Sequence, residues 1–138
     1  MPLLSLCGRR PSTVPVLATV AEAVQLMIDN EVGAVAVVDD QGIVAGMFTE
    51  RDVLEKFALS GRDAGQTPVR DLMSPMVEMA TEETTPAEAL RVMLERHYRH
   101  MPVVDEAGKV LGVVSIRHIL EAKIDDLVEE LEGAAPRG

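Results

Sequence analysis

The chain repeats itself in one continuous register. Thr19–Met27 (TVAEAVQLM) returns as Thr85–Met93 (TPAEALRVM), and Val37–Gly46 (VVDDQGIVAG) returns as Val103–Gly112 (VVDEAGKVLG). Met27 and Met93, Asp39 and Asp105, and Gly46 and Gly112 are each 66 residues apart, so no gap separates the two copies. A register kept over a whole unit marks duplication of one supersecondary element, whose apolar face needs a neighbour to cover it. The 138 residues can bury one sizeable core shared by two small halves.

Each unit reads the same way. Val20, Ala23, Val24, Met27 and Ile28 recur at helical spacing, which predicts an amphipathic helix over Thr19–Glu31. Thr19 stands at the N-cap and Glu22 follows three residues later, a capping-box pattern. In the second unit Thr85 caps, Pro86 takes the first helical position, Glu88 follows, and the helix runs to about His97. The Val-rich run Ala34–Val38, the turn Asp39–Gly42 and the run Ile43–Phe48 predict a β-hairpin. Thr49 then caps a helix over Glu50–Leu59. The copy predicts strands at Met101–Val104 and Val110–Val114 around the turn Asp105–Gly108, with Ser115 capping the last helix. The order is strand–helix–strand–strand–helix, twice. That is an α+β fold in which helices cover one face of each sheet and the two sheets bury their other faces together. Ser60–Val69, with Gly61, Gly65 and Pro68, is the linker, and Pro11, Pro15, Pro68 and Pro75 punctuate the entries to the units.

Composition narrows the function. Hydrophobic residues make up 47% of the chain and aromatic residues 2%, namely Phe48, Phe57 and Tyr98. A ligand here must be held by aliphatic sandwiching and backbone contacts. Met27, Met73, Met76, Met79, Met93 and Met101 read as core fillers. A net charge of −10 opposes binding to a nucleic acid polymer, which needs many cationic contacts. The single cysteine, Cys7, cannot form an intrachain disulfide. No run approaches the roughly 20 apolar residues of a membrane span, and Met1–Arg10 does not read as a signal peptide. A cytoplasmic protein with no membrane partner is expected. No nucleophile elbow, Walker loop or Cys–His framework is present, so no enzyme, catalytic residue or catalytic cofactor is expected. His97, His100 and His118 lack a metal site's ligand spacing, so no metal is expected either.

Val-Val-Asp-x-x-Gly followed by Gly, two hydrophobic residues and Thr or Ser occurs twice, with the lead-in Asp71–Pro75 (DLMSP) before the second copy. This pattern resembles the CBS domain, named for cystathionine β-synthase, over roughly Leu6 to Asp126. The resemblance implies an α/β-type CBS fold and a pseudo-twofold CBS pair. Its domains would be CBS 1 at 6–62 and CBS 2 at 69–126, followed by a C-terminal helix extension and tail at 127–138. It further implies a regulatory module binding AMP, ADP, ATP or another adenosyl ligand such as S-adenosylmethionine in a cleft between the repeats. A homodimer is implied too, with an effector protein acted on in trans. A ligand-free dimerisation or interaction module is the alternative. The apolar stripe Ile116, Ile119, Leu120, Ile124, Leu127, Val128 and Leu131 must pack on its own module or on a partner.

Gly46–Asp52 carries the chemistry. A strand ends, a hydroxyl caps a helix, and an Asp lies in its first turn, where N–H groups and the helix dipole favour an anion. Thr49 can give its hydroxyl to a phosphate, and Asp52, acceptor-only, can take two hydrogen bonds from a ribose diol. The same two residues are also good helix-start chemistry with no ligand at all. The second copy keeps Gly112 and Ser115 but has His118 in place of the Asp, which puts a diol clamp in doubt there. By the resemblance, the Asp52 cleft would combine Thr49, Arg51 and Asp52 with Ser74, Met79, Tyr98, Arg99 and His100. Met79 and Tyr98 would contact adenine, and Arg99 or Arg51 phosphate. Tyr98 is equally well placed as a packing residue and Arg99 as a solvated one. A second, weaker site would combine Thr13, Val32, Gly33 and Ala34 with Ser115 and His118, with Arg9 and Arg10 leaning toward it.

Overall fold

A computed structural model describes residues 2–7, 12–75 and 78–134. Arg9, Arg10, Pro11 and Met76, considered above, lie outside the described residues. The first repeat comprises β1 (Thr13–Pro15), α1 (Val20–Asn30), β2 (Ala34–Val38), β3 (Val44–Thr49) and α2 (Glu50–Asp52), which continues as a π-helical turn over Val53–Phe57. The second comprises β4 (Ala80–Thr81), α3 (Pro86–Arg96), β5 (His100–Val104), β6 (Val110–Ser115) and α4 (Ile116–Ala134). The expected element order is present in both. Each sheet runs in chain order, its first two strands parallel and its hairpin antiparallel.

The caps are where the sequence puts them. Thr19 accepts from the Glu22 N–H at 3.1 Å and Thr85 from the Glu88 N–H at 3.1 Å. The helix predicted over Glu50–Leu59 differs. Its α-helical part ends at Asp52, and the Ala58 N–H reaches back to the Val53 carbonyl at 2.8 Å, a wider i→i+5 turn.

The hairpin strand β2 has no solvent face, which is why it reads as an unbroken apolar run. Val35 and Val37 join the first core with Phe48, Val20, Ala23 and Met27. Ala34 and Ala36 point the other way and join Met47 against Val110 and Val113 of the second repeat. The two sheets meet there, and small alanines let them approach. On the pseudo-twofold axis the equivalent residues Ile43 and Lys109 bridge each other, and beside them the Val44 N–H donates to the Gly108 carbonyl at 3.3 Å.

Each lead-in closes the other repeat's core. Leu3, in the 3-10 turn Leu3–Leu6, is fully buried among Met93, Met101, Val114 and Ile119 of the second repeat. Val69 and Leu72, before the second repeat, belong to the first core. The crossing occurs over two glycines. A Cβ on Gly46 would lie 2.7 Å from the Ser74 carbonyl oxygen, and one on Gly112 would lie 2.9 Å from Cys7 Cβ. These are the repeated glycines of the motif, and their lack of a side chain is what admits the crossing segment. Burial there pushes the Cys7 thiol up to about 11, so it stays protonated at neutral pH.

Gly46→Ala and Gly112→Ala should each lower the unfolding free energy in urea by about 1–3 kcal/mol, the usual cost of overpacking. Gly65→Ala, whose Cβ would meet only the Asp63 side chain at 3.6 Å, should stay within about 0.5 kcal/mol. Equal stability of all three variants would contradict this account of the crossing.

Candidate functional site

Thr49 ends β3 and caps α2, which brings Asp52 back over the strand end. The Thr49 N–H donates to Asp52 Oδ2 at 3.0 Å, and the Asp52 N–H donates to Thr49 Oγ1 at 3.2 Å, a complete capping box. The Thr49 hydroxyl also reaches Oδ2 at 3.2 Å. On the other oxygen, Ser74 Oγ donates to Oδ1 at 2.9 Å and Lys56 Nζ lies 3.0 Å away. Lys56 also donates to the Leu72 carbonyl and to Ser74 Oγ, each at 3.0 Å. Asp52 is only 5% exposed. A carboxylate has about four lone-pair sites, and here all are engaged. Asp52 can receive a diol only by releasing Ser74 and Lys56.

The structure therefore brings Thr49, Asp52 and Ser74 together, as the sequence reading groups them, and adds Lys56. Arg51 is exposed and paired with Glu55 at 2.8 Å. Tyr98 packs against the second core, and Met79 is 40% exposed. Arg99 and His100 line a different cavity. The reason is the register: His100 pairs with Ser115 across the β5–β6 hairpin, so it stays beside its own repeat's loop.

That cavity, about 1090 Å³, is bounded by both repeats. Five of the six residues grouped as the second site line it: Val32, Gly33, Ala34, Ser115 and His118. Thr13 is replaced in the lining by its neighbour Ser12. Val24, Met27, Ile28, Val53, Leu54 and Val113 add aliphatic surface, the aromatic-free sandwich that composition demands. The charged lining is divided by repeat. The first contributes Glu31 and Glu50, the second Arg99 and Arg117 with His100 and His118.

The same backbone device builds both sides. The Glu50 N–H donates to the Gly33 carbonyl at 3.0 Å, and the Ile116 N–H to the Arg99 carbonyl at 2.8 Å. Each pins the start of a hairpin to the helix that follows it. Glu50 lies over Gly33, where a Cβ would come within 3.2 Å of its carboxyl carbon. The His118 N–H donates to Ser115 Oγ at 3.0 Å, so Ser115 caps α4, while His118 Nδ1 is buried with no hydrogen-bond partner. Desolvation, helped by His118 and Arg99, lowers the His100 pKa from 6.5 to about 4.

Sequence reasoning missed Glu50 and Lys56. Lys56 was within reach of a simple signal, since it follows Asp52 by four residues on one helical face. Glu50 gave none, because its position over Gly33 depends on the fold. Among the described residues, no three His, Cys, Asp or Glu side chains gather as a metal site, and no helix is long and apolar enough to cross a membrane.

The profile of the CBS domain matches residues 5–59 and 69–125. The chain belongs to the CBS domain family. Tandem CBS domains are generally regulatory modules that bind adenosine ligands. The chain is 39% identical over 107 residues to an uncharacterized 17.7 kDa protein of Acidianus ambivalens, covering 78% of this chain and 63% of that one. It is 36% identical to the mitochondrial CBS domain-containing protein CBSX3 of Arabidopsis thaliana, covering 83% and 57%. This CBS chain thus spans less than two thirds of the length of either relative. Among solved structures, a CBS-domain protein of Burkholderia ambifaria superposes with a TM-score of 0.80 at 31% identity, covering 91% of this chain and 96% of that one. One from Agrobacterium tumefaciens gives 0.76 at 30%, covering 88% and 92%.

The buried imidazole sets a pH dependence. Between pH 6.5 and about 4 the unfolded chain protonates His100 and the folded chain does not, so stability falls as pH drops through that window. Urea unfolding at pH 7 and pH 4.5 should show that His100→Gln removes about 1–3 kcal/mol of this loss. An unchanged slope in the variant would contradict the assignment.

Proposed function

We propose that this CBS pair is a regulatory sensor that binds an adenine nucleotide or a related adenosyl ligand in the cavity between its repeats and acts on a partner protein in trans. One observation carries the reading: a cavity of about 1090 Å³, lined by both repeats, whose wall combines aliphatic side chains with polar and charged ones. That is the make-up of a small-molecule site. Because the two repeats supply opposite charges to the lining, a ligand carrying an anionic group has a preferred direction, with that group toward Arg99, His100 and His118. A ligand touching both repeats favours one relative placement of them, and this differential affinity is the signal an effector can read.

Calorimetry with AMP, ADP, ATP and S-adenosylmethionine tests this. At least one should bind, with Ser115→Ala weakening it about 3- to 10-fold. Asp52→Ala should weaken it less, because that carboxylate is already satisfied within the protein. Absence of binding by all four would sink the proposal.

The surface of α4 favours a second copy as partner, in keeping with the interaction-module reading. Leu120, Ile124, Leu127, Val128 and Leu131 form an exposed apolar stripe along it. Sedimentation should give a dimer whose dissociation constant rises at least about 10-fold in Leu127→Glu. A monomeric wild type at tens of micromolar, or a variant that dimerises equally well, would remove α4 from the interface.

A further inference from the structure

The last helix carries more apolar surface than its own repeat covers. Ile119 is fully buried in the second core, while Leu120, Ile124, Leu127 and Leu131, on another face of α4, are 44–63% exposed. Their spacings are four, three and four residues, the alternation of a coiled-coil seam. Leu120 and Leu127 take one core position of the heptad, and Ile124 and Leu131 the other. The seam is about 16 Å long at 1.5 Å per residue. It runs past residue 125, where the CBS match ends, so half of it lies outside the repeated unit.

Charge is uneven along the same helix. Up to Ile124, Arg117 and Lys123 stand against Glu121. From Asp125 to Ala134 there are Asp125, Asp126, Glu129, Glu130 and Glu132 and no basic residue. Negative charge is thus loaded onto the end of the helix that is already the negative pole of its dipole, where cations are favoured. Arg117 is matched to Glu121 at 2.8 Å within the helix. Lys123 and Glu130 make no ion pair among the described residues.

This asymmetry selects the direction of a second α4 laid on the seam. Run parallel, the two helices would set acidic half against acidic half and Lys123 beside Val128 of the second copy. Run antiparallel, Leu120 meets Leu131 of the second copy and Ile124 meets its Leu127, so every layer is aliphatic. In that register the flanking positions bring Lys123 to Glu130 of the second copy, and the twofold axis repeats the pair. Each acidic half then lies beside a basic half, and the helix dipoles oppose.

We infer that two copies of this chain join through an antiparallel α4 pair, held by the aliphatic seam and by reciprocal Lys123–Glu130 ion pairs. The inference rests on the reading of α4 as the surface that meets a second copy. It adds the direction of pairing and the charges that set it.

Sedimentation of the full chain and its charge variants tests this. Glu130→Lys should weaken the dimer about 5-fold, because it sets two ammonium groups together. A parallel pair requires the opposite sign, since the same variant would relieve acidic repulsion. Lys123→Glu/Glu130→Lys restores both pairs in the reverse sense and should dimerise within about 2-fold of wild type. Oxidation in a Cys7→Ala background reads the direction itself. Leu120→Cys mixed with Leu131→Cys should give a covalent dimer, and either variant alone should give none. The substituted positions on α4 are exposed, so these variants keep the fold. A tighter dimer in Glu130→Lys, no recovery in the double variant, or a covalent dimer from either Cys variant alone overturns the inference and leaves α4 as the interface. A wild type that stays monomeric at tens of micromolar overturns the inference together with the α4 dimer.

Discussion

Everything in this molecule depends on two backbone crossings at van der Waals distance. The lead-in of each repeat passes over a glycine of the other, and the apolar side chains on that lead-in complete the other's core. Without Leu3 the second core lacks a fully buried leucine, and without Val69 and Leu72 the first is open on one side. Burial of side chains of this size contributes about 1.5–3 kcal/mol each, a large share of a small domain's net stability. The glycines are therefore a steric condition for the two halves to be one folding unit. The sheets meet through Ala34, Ala36 and Met47, and the cavity exists because that contact fixes the distance between the repeats.

Duplication provides the frame, and divergence within it provides the chemistry. Backbone features recur at an interval of 66 residues: the hairpin glycines Gly42 and Gly108 with φ of 81° and 88°, and the left-handed helix ends Glu31 and His97 with φ of 54° and 60°. Side chains do not keep that symmetry. At the starts of the helices after the hairpins, the acidic capping box of the first repeat corresponds, in the second, to an imidazole whose buried nitrogen has no hydrogen-bond partner. One repeat has used its carboxylate to bolt α2 to the neighbouring lead-in through Ser74 and Lys56. The other keeps a hydroxyl cap, Ser115, and has His118 in the lining of the cavity.

The fold was legible because it rests on local signals that the repeat states twice: caps at Thr19 and Thr85, Gly-containing turns, and short Val-rich apolar runs. The π-helical continuation of α2 was not, since nothing in Val53–Phe57 distinguishes it from an ordinary helix. The site was legible by residue and less so by grouping. Thr49, Asp52 and Ser74 meet as expected, as do Gly33, Ala34, Ser115 and His118. Arg99 and His100 were placed with the wrong partners because hairpin register, which a sequence leaves implicit, decides which loop they stand beside. Nor does spacing tell whether a carboxylate is already satisfied. Asp52 looks open in the sequence and is saturated in the fold.

The exchange of lead-ins also changes what the linker 60–69 is for. A backbone break ahead of Val69 would leave two fragments, each carrying the segment that the other needs to close its core. Covalent continuity then acts through proximity, raising the effective concentration of one half around the other, and contributes little to the architecture itself. In topological terms the molecule is a pair of interlocked halves, and the same pairing could be made between two separate chains of half the length.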